Sequence, residues 1–292
     1  MNIKRPMLAA TATKEDLDNL RYPILASPKL DGIRVLHHPV YGVVTRKLKP
    51  VPNLRIRQMI QTHVPVGVDG EVVTFNDLGQ QLSFNEIQSD VMSHSGMPIF
   101  QFQAFDNFGF AGFFSQRLAS LEHIAYKVKF LEVVPHYTLL DSGSFREFAS
   151  KCIEDGYEGA MIRDPEGPYK EGRSTLKEGW LVKYKEFMDA EGIVVDFEEL
   201  QHNENEQTRD RMGLAERSSH KAQLRPGNTL GALIVETKWG TLRIGTGFDD
   251  ALRWEIWNNK DRYAHRVVTF KYQTYGMQDL PRFPVFLYFR ED

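Results

Sequence analysis

The sequence predicts an α+β protein, with an N-terminal domain of antiparallel sheets and helices over residues 1–188 and an all-β domain over residues 189–292. Three observations carry that prediction. Strand-like and helix-like segments alternate loosely up to Asp189, with neighbouring strands often close enough to pair antiparallel. The texture changes after Asp189, where β-branched segments dominate and one helical stretch remains. The 292 residues suffice for two ordinary cores.

In chain order, residues 21–30, 33–38 and 42–46 read as strands, and Pro28 suits a strand end because it lacks a donor. Residues 47–53 form a loop, followed by a helix over 54–63. The β-branched stretch 66–75 reads as a strand around the polar Asp69-Gly70-Glu71. A helix over 84–93 and a strand over 99–108 follow, and Ser115 can cap a helix running to about Val128. Residues 131–139 read as one strand and 144–154 as a helix; 157–163 and 180–185 are short strands. Beyond the junction, strands are expected at 192–198, 231–237, 241–245, 267–275 and 285–289, with a helix near 249–259. This set suits a small β-barrel such as an OB-fold. The intervening 202–228 is polar and mixed in charge, and reads either as a disordered surface loop or as a basic contact surface.

Composition excludes several classes. Hydrophobic residues make up 41% and aromatic residues 12%, as in ordinary globular chains. No apolar run is long enough to span a bilayer, and the first ten residues lack a signal-type stretch, so a cytosolic location is expected. Net charge is −3, with 22 basic and 23 acidic residues through Asp189 and 14 and 16 after it, so any nucleic-acid contact must use local basic patches. The single cysteine, Cys152, excludes an internal disulfide framework and a cysteine-rich zinc site. Its amphipathic surroundings predict a buried structural thiol.

The most informative stretch is Lys29-Leu30-Asp31-Gly32-Ile33-Arg34. A lysine attacks phosphorus once its pKa is lowered or its proton removed. Arg34 suits bidentate phosphate binding, and Gly32 permits a turn or a close approach. An exposed turn carrying ordinary charges is the plain alternative. Glu71 and Glu158 each stand at the mouth of an apolar strand, where an acid either meets water or points into a site. Lys183 and Lys185 alternate with Val182 and Tyr184, so both ammonium groups share one sheet face, where an anion between them relieves their repulsion.

The ordered series comprises Lys29, Arg46, Glu71, Phe105-Asp106, Glu158-Gly159 and the Lys183/Lys185 pair. With Tyr157-Glu-Gly-Ala-Met-Ile-Arg, Asp189-Ala-Glu-Gly-Ile-Val-Val and the terminal Arg282-Phe-Pro-Val-Phe, it resembles the nucleotidyltransferase superfamily of ATP-dependent DNA ligases, RNA ligases and mRNA capping enzymes. Its forms look like the small ATP-dependent DNA ligases of bacteriophages and large DNA viruses. The resemblance implies an adenylation domain followed by an OB-fold DNA-binding domain, in an enzyme that seals nicks with ATP as AMP donor and Mg²⁺ or Mn²⁺ as metal. It implies Lys29 as nucleophile, with Lys183 and Lys185 lowering its pKa and binding the α-phosphate. Pro28, Arg34, Glu71, Phe105 and Arg282 would complete the nucleotide site, with Phe105 stacked on adenine and Arg282 on the outgoing pyrophosphate. Glu158 would help hold the metal, and Glu71 would hydrogen-bond the ribose of the adenylate or assist the metal. Arg34, Arg46, Lys47 and Lys49 would grip DNA phosphates, and Arg217 and Lys221 would contact the duplex from the second domain. Thr45-Arg-Lys-Leu-Lys departs from the commoner Ser-Arg-x-Gly-Lys form of the family.

ATP is favoured over NAD because only 28 residues precede Lys29 and the cysteine set of the NAD enzymes' zinc module is missing. An RNA ligase and a capping-type guanylyltransferase are the nearest alternatives; a non-catalytic nucleic-acid-binding OB protein is the alternative of another class. The expected partner is nicked duplex DNA, and the expected working form a monomer in the cytoplasm of a bacterial or phage-infected cell.

Overall fold

A computed structural model describes residues 3–218, 220–273 and 279–290. The chain divides into two compact units: residues up to Lys185 together with Asp210–Gly213, and Glu186–Arg209 together with the residues from Leu214 onward.

The first unit opens with β1 (Met7–Leu8), β2 (Ala10–Ala12), β3 (Ile24–Pro28), β4 (Ile33–His38) and β5 (Gly42–Thr45). Helix α1 (Leu54–His63) starts where the Asn53 side chain accepts the Ile56 N–H at 3.0 Å. Strand β6 (Val68–Phe75) leads to α2 (Phe84–Met92), which opens on a capping box of Ser83 and Glu86. Strand β7 (Ile99–Asn107), α3 (Phe114–Ala125), β8 (Leu131–Val133), β9 (Tyr137–Leu139), α4 (Ser142–Glu154), β10 (Ala160–Arg163), β11 (Gly172–Arg173) and β12 (Val182–Tyr184) complete it.

Two five-stranded sheets result, in the orders β2-β12-β10-β3-β9 and β5-β4-β6-β7-β8. The first packs on α4 through Ile24, Ala26, Phe145, Ala149 and Ile162. Cys152, on α4, is buried in this core as expected, and burial pushes its thiol up to about 11. The second sheet packs on the apolar faces of α1, α2 and α3 through Ile56, Ile60, Val72, Ile87, Phe102 and Leu121. Alternation of apolar and polar residues along β7 sets Phe100, Phe102 and Ala104 on the face that meets these helices.

The expected strand over 131–139 is two strands in different sheets, separated by Val134-Pro135-His136. Pro135 has no N–H for a ladder, and the chain uses that break to change sheet. Most pairings are antiparallel, but β1 with β11, β2 with β12 and β7 with β8 are parallel. The helix assigned to a Ser115 cap begins at Phe114 and ends at Ala125.

The second unit contains β13 (Met188–Asn203), the hairpin strands β14 (Gln207–Arg209) and β15 (Ala215–Arg217), β16 (Leu224–Thr237), β17 (Gly240–Ile244), α5 (Asp250–Asn258), α6 (Lys260–Tyr263), β18 (Val267–Gln273) and β19 (Arg282–Phe289). Its five-stranded sheet runs β17-β16-β13-β18-β19. The outer strands approach one another where Phe286 N donates to Thr246 O at 2.9 Å. Val194, Leu233, Val235, Ile256, Val268 and Phe270 fill the core.

Much of residues 202–228 is strand, because β13 and β16 run far past the sheet's centre. Asn203 and Asn205 clamp the hairpin base with donations to Ser218 O and His220 O at 2.8 and 2.9 Å. Of the expected strand over 267–275, Thr274 and Tyr275 lie outside the described residues. Among the described residues, no helix is long and apolar enough to cross a membrane.

Candidate active site

The six-residue stretch read from the sequence joins the two sheets of the first unit: β3 ends at Pro28 in one sheet and β4 begins at Ile33 in the other. Lys29 N donates to Gly159 O at 2.9 Å, extending the β3–β10 ladder by one step. Gly32 must be glycine, because a Cβ there would stand 2.6 Å from Val72 O and 2.9 Å from Glu71 Cγ.

A cavity of about 600 Å³ opens between the sheets beside this crossover. One wall is the β12-β10-β3 surface. Register aligns Lys183, Met161 and Ser27 in one row, and Tyr184, Ala160 and Pro28 in the next. Side chains alternate, so Lys185 and Lys29, one step further, share the face of Lys183. Gly159 lies between them at φ 151°, and a Cβ there would meet Tyr184 O at 2.3 Å. This glycine lets the strands close, and the Glu158 carboxylate ion-pairs with both Lys29 and Lys185.

Burial is the main cause that lowers the Lys29 pKa. Glu71 and Asp31 act against it, and Arg46 adds to it. Burial, and not the lysine pair that the resemblance implies, is therefore the leading cause. Instead Lys183 is itself lowered, by burial and then by Lys29, Arg173 and Arg46. Glu158 is shared between two ammonium groups, and the clustered Lys29, Lys183 and Lys185 suit an anion.

The facing wall comes from the second sheet. Arg34, Glu71 and Gln103 lie in register across β4, β6 and β7. Burial pushes Glu71 up to about 7, although Lys29 and Arg34 pull it down. Phe105 lines the cavity from β7, with the Arg34 guanidinium 5.4 Å from its ring centre.

Arg34 is placed differently from its expected role at a phosphate. Its guanidinium binds buried Asp69 bidentately at 2.9 and 2.6 Å, and its third donor goes to Met7 O at 2.7 Å. Tyr169 Oη donates to Asp69 at 2.9 Å and accepts from Met7 N at 3.2 Å. Arg34 is thus a strut between β4, β6 and β1 that also lines the cavity. A second buried assembly joins Asp106 to Arg117 and Arg163. The motif aspartate therefore holds α3 and β10 against β7 instead of facing a ligand.

Arg46 and Lys47 follow β5 at the cavity rim. Leu48 occupies the glycine position of the commoner motif and adopts φ 56° there. Its full burial beside Leu36, Val44 and Phe108 offsets the strain, so the turn survives the substitution. Lys49 is exposed on the same turn. Arg217, Lys221 and Arg282 belong to the second unit, on β15, in the short turn before β16 and at the start of β19.

Sequence reading missed His136, Arg163 and Arg173, which also line the cavity, and the supports Asp69 and Tyr169. Asp69 was detectable, since it lies two residues from Glu71 on one strand and so on its face. Loop residues His136 and Tyr169 carry no periodic signal.

Among the described residues, no group of three or more histidine, cysteine, aspartate or glutamate side chains is gathered for a metal. The carboxylates that line the cavity, Asp31, Glu71 and Glu158, are hard oxygen donors. They fit a small divalent cation that takes its other ligands from nucleotide phosphates and water.

A family model described as ATP dependent DNA ligase domain matches residues 6–185, and one described as DNA ligase OB-like domain matches residues 223–290. A probable DNA ligase of Kineococcus radiotolerans is 28% identical over 181 residues, covering 58% of this chain and 36% of that protein. An African swine fever virus DNA ligase is 34% identical over 68 residues, covering 23% of this chain and 16% of that protein. The chain thus spans well under two thirds of the length of these relatives. A crystal structure of Chlorella virus DNA ligase-adenylate has 29% identity and a TM-score of 0.56, covering 99% of both chains. A Lig E DNA ligase structure, at 24% identity and a TM-score of 0.71 over 98% of this chain and 99% of that one, shares the fold.

Proposed function

The chain belongs to the ATP-dependent DNA ligase family, and from that premise we propose that it seals 3′-hydroxyl/5′-phosphate nicks in duplex DNA through a covalent lysyl-AMP on Lys29. One observation carries this reading: Lys29, Lys183, Lys185 and Glu158 converge on one cavity wall, opposite Glu71 and Phe105.

The Lys29 amine attacks the α-phosphorus of ATP, forming an N–P bond as the P–O bond to pyrophosphate breaks. Its lowered pKa reduces the cost of the neutral amine that this step requires. Lys183 and Lys185 bind the α-phosphate and balance the charge that builds on its oxygens. The AMP then passes to the 5′-phosphate of the nick. Attack by the 3′-hydroxyl on that phosphate closes the strand and releases AMP. Phe105 stacks on the adenine, with Pro28 beside the nucleophile. Glu158, assisted by Glu71, would hold a divalent cation, Mg²⁺ or Mn²⁺, which would supply Lewis-acid stabilisation.

Arg46, Lys47 and Lys49 grip the nick, and Arg217 and Lys221 contact the duplex. Arg282 is assigned to the outgoing pyrophosphate. Arg34 acts by fixing the crossover that carries Lys29. The proposed working form is a monomer, in the cytoplasm of a bacterial or phage-infected cell.

The test is a chase. Protein pre-labelled with α-³²P-ATP is mixed with nicked DNA, with the same nick bearing RNA strands, and with intact duplex. Label moving to nicked DNA, followed by joined product, is expected. Label that moves only to RNA ends would assign the chain an RNA ligase activity.

A further inference from the structure

The chain changes sheet on two sides of the cavity: at Lys29–Gly32, from β3 to β4, and at Val134–His136, from β8 to β9. The first crossover carries the nucleophile; the second carries a residue not yet assigned a role. Ala26 pairs with Tyr137, so one further antiparallel step sets His136 beside Ser27. His136 thereby ends the row that begins at Lys183 and passes through Met161 and Ser27. Val134 N donates to Ala104 O at 2.9 Å, tying this crossover to β7, the strand of Phe105.

The His136 ring lines the cavity and makes an edge contact with Phe114 at 5.3 Å between centres. Its Nδ1 lies 2.7 Å from Val134 O. A carbonyl only accepts, so Nδ1 carries the proton and donates, which leaves Nε2 as a bare acceptor. Among the described residues, Nε2 forms no hydrogen bond. Burial holds the ring down to about 4, so it stays neutral and Nε2 stays an acceptor near neutral pH.

A nucleotide whose phosphates lie at the lysine end of this row directs its base toward the opposite end. We propose that His136 is a specificity-determining residue, its Nε2 accepting a hydrogen bond from the exocyclic 6-amino group of the purine. A purine with an oxygen at that position would set acceptor against acceptor, and one with hydrogen there would leave Nε2 unpaired. This assignment rests on the adenylation reading of the cavity.

The rate of protein labelling tests it, comparing ATP with purine riboside triphosphate, which carries hydrogen at position 6, in the parent chain and in His136→Phe and His136→Leu. The parent should prefer ATP by roughly tenfold, and both variants should lose that preference, because a general packing defect would slow both nucleotides alike. Equal rates with the two nucleotides in the parent, or an unchanged ratio in the variants, would overturn the assignment. A parent chain that ATP labels, but without discrimination, fails on His136 alone; a parent that ATP does not label loses the ligase reading and the His136 assignment with it.

Discussion

The Lys29 ammonium is ion-paired with the Glu158 carboxylate, and Glu158 also binds Lys185. One acid thus holds both the proposed nucleophile and one of the cations proposed to receive the α-phosphate. Glu158→Gln keeps the shape and removes the charge. Adenylation should fall by roughly a hundredfold, as for loss of a preorganised electrostatic partner. With its counter-charge gone, Lys29 should deprotonate at lower pH, so the alkaline rise of the adenylation rate should shift to lower pH. An unshifted profile would show that the pair does not control the lysine.

Asp106 binds two guanidinium groups, and burial holds Arg163 down to about 9 and Arg117 down to about 10. Asp106→Asn leaves both buried cations without their counter-charge, at a cost of about 3–5 kcal/mol. Thermal unfolding should move down by several degrees or more. A variant that melts with the parent would mean that the assembly does not support the fold.

Burial raises Glu71 from the ordinary glutamate range to about 7. Between about pH 4.5 and 7 the folded state therefore holds more of this proton than the unfolded state, and stability from this group is lost as pH rises through that window. Glu71→Gln, which cannot ionise, should gain on the order of 1–3 kcal/mol relative to the parent at pH 8 compared with pH 5. Melting curves at the two pH values check this, and a constant difference between parent and variant would contradict it.

Charge reversal at Lys221 and Arg217 should weaken equilibrium binding to nicked duplex by roughly tenfold or more and flatten its salt dependence. Lys221 is exposed, whereas Arg217 also donates to Asn205 O and Gln207, so Lys221→Glu is the cleaner variant. Unchanged affinity would remove this segment from the DNA surface.

Much of this architecture was legible because its signals are local. The β-branched stretch around Asp69-Gly70-Glu71, the helix over 54–63 and the Lys183/Lys185 spacing each follow from a few neighbouring residues. The motif lysine and the acid at Glu158 stood out by residue type, with an exposed turn and a water-facing acid as their plain alternatives, and the structure brings the two side chains together. Long-range partners were not readable. Nothing near Arg34 in the sequence reveals that Asp69 and Met7 occupy its donors, and nothing near Asp106 reveals Arg163. Pro135, which lacks an N–H for a ladder, is the local signal of the break inside 131–139. The strands within 202–228 were hidden because paired asparagine clamps, not an apolar face, hold their base.

The central claim is that Lys29 carries the adenylate. The direct measurement incubates the chain with α-³²P-ATP and a divalent cation, denatures it, and locates the label by peptide mapping. Label should remain on the protein, lie on the peptide containing Lys29, and be absent from Lys29→Ala. Label that persists in Lys29→Ala, or maps to another residue, would contradict the account.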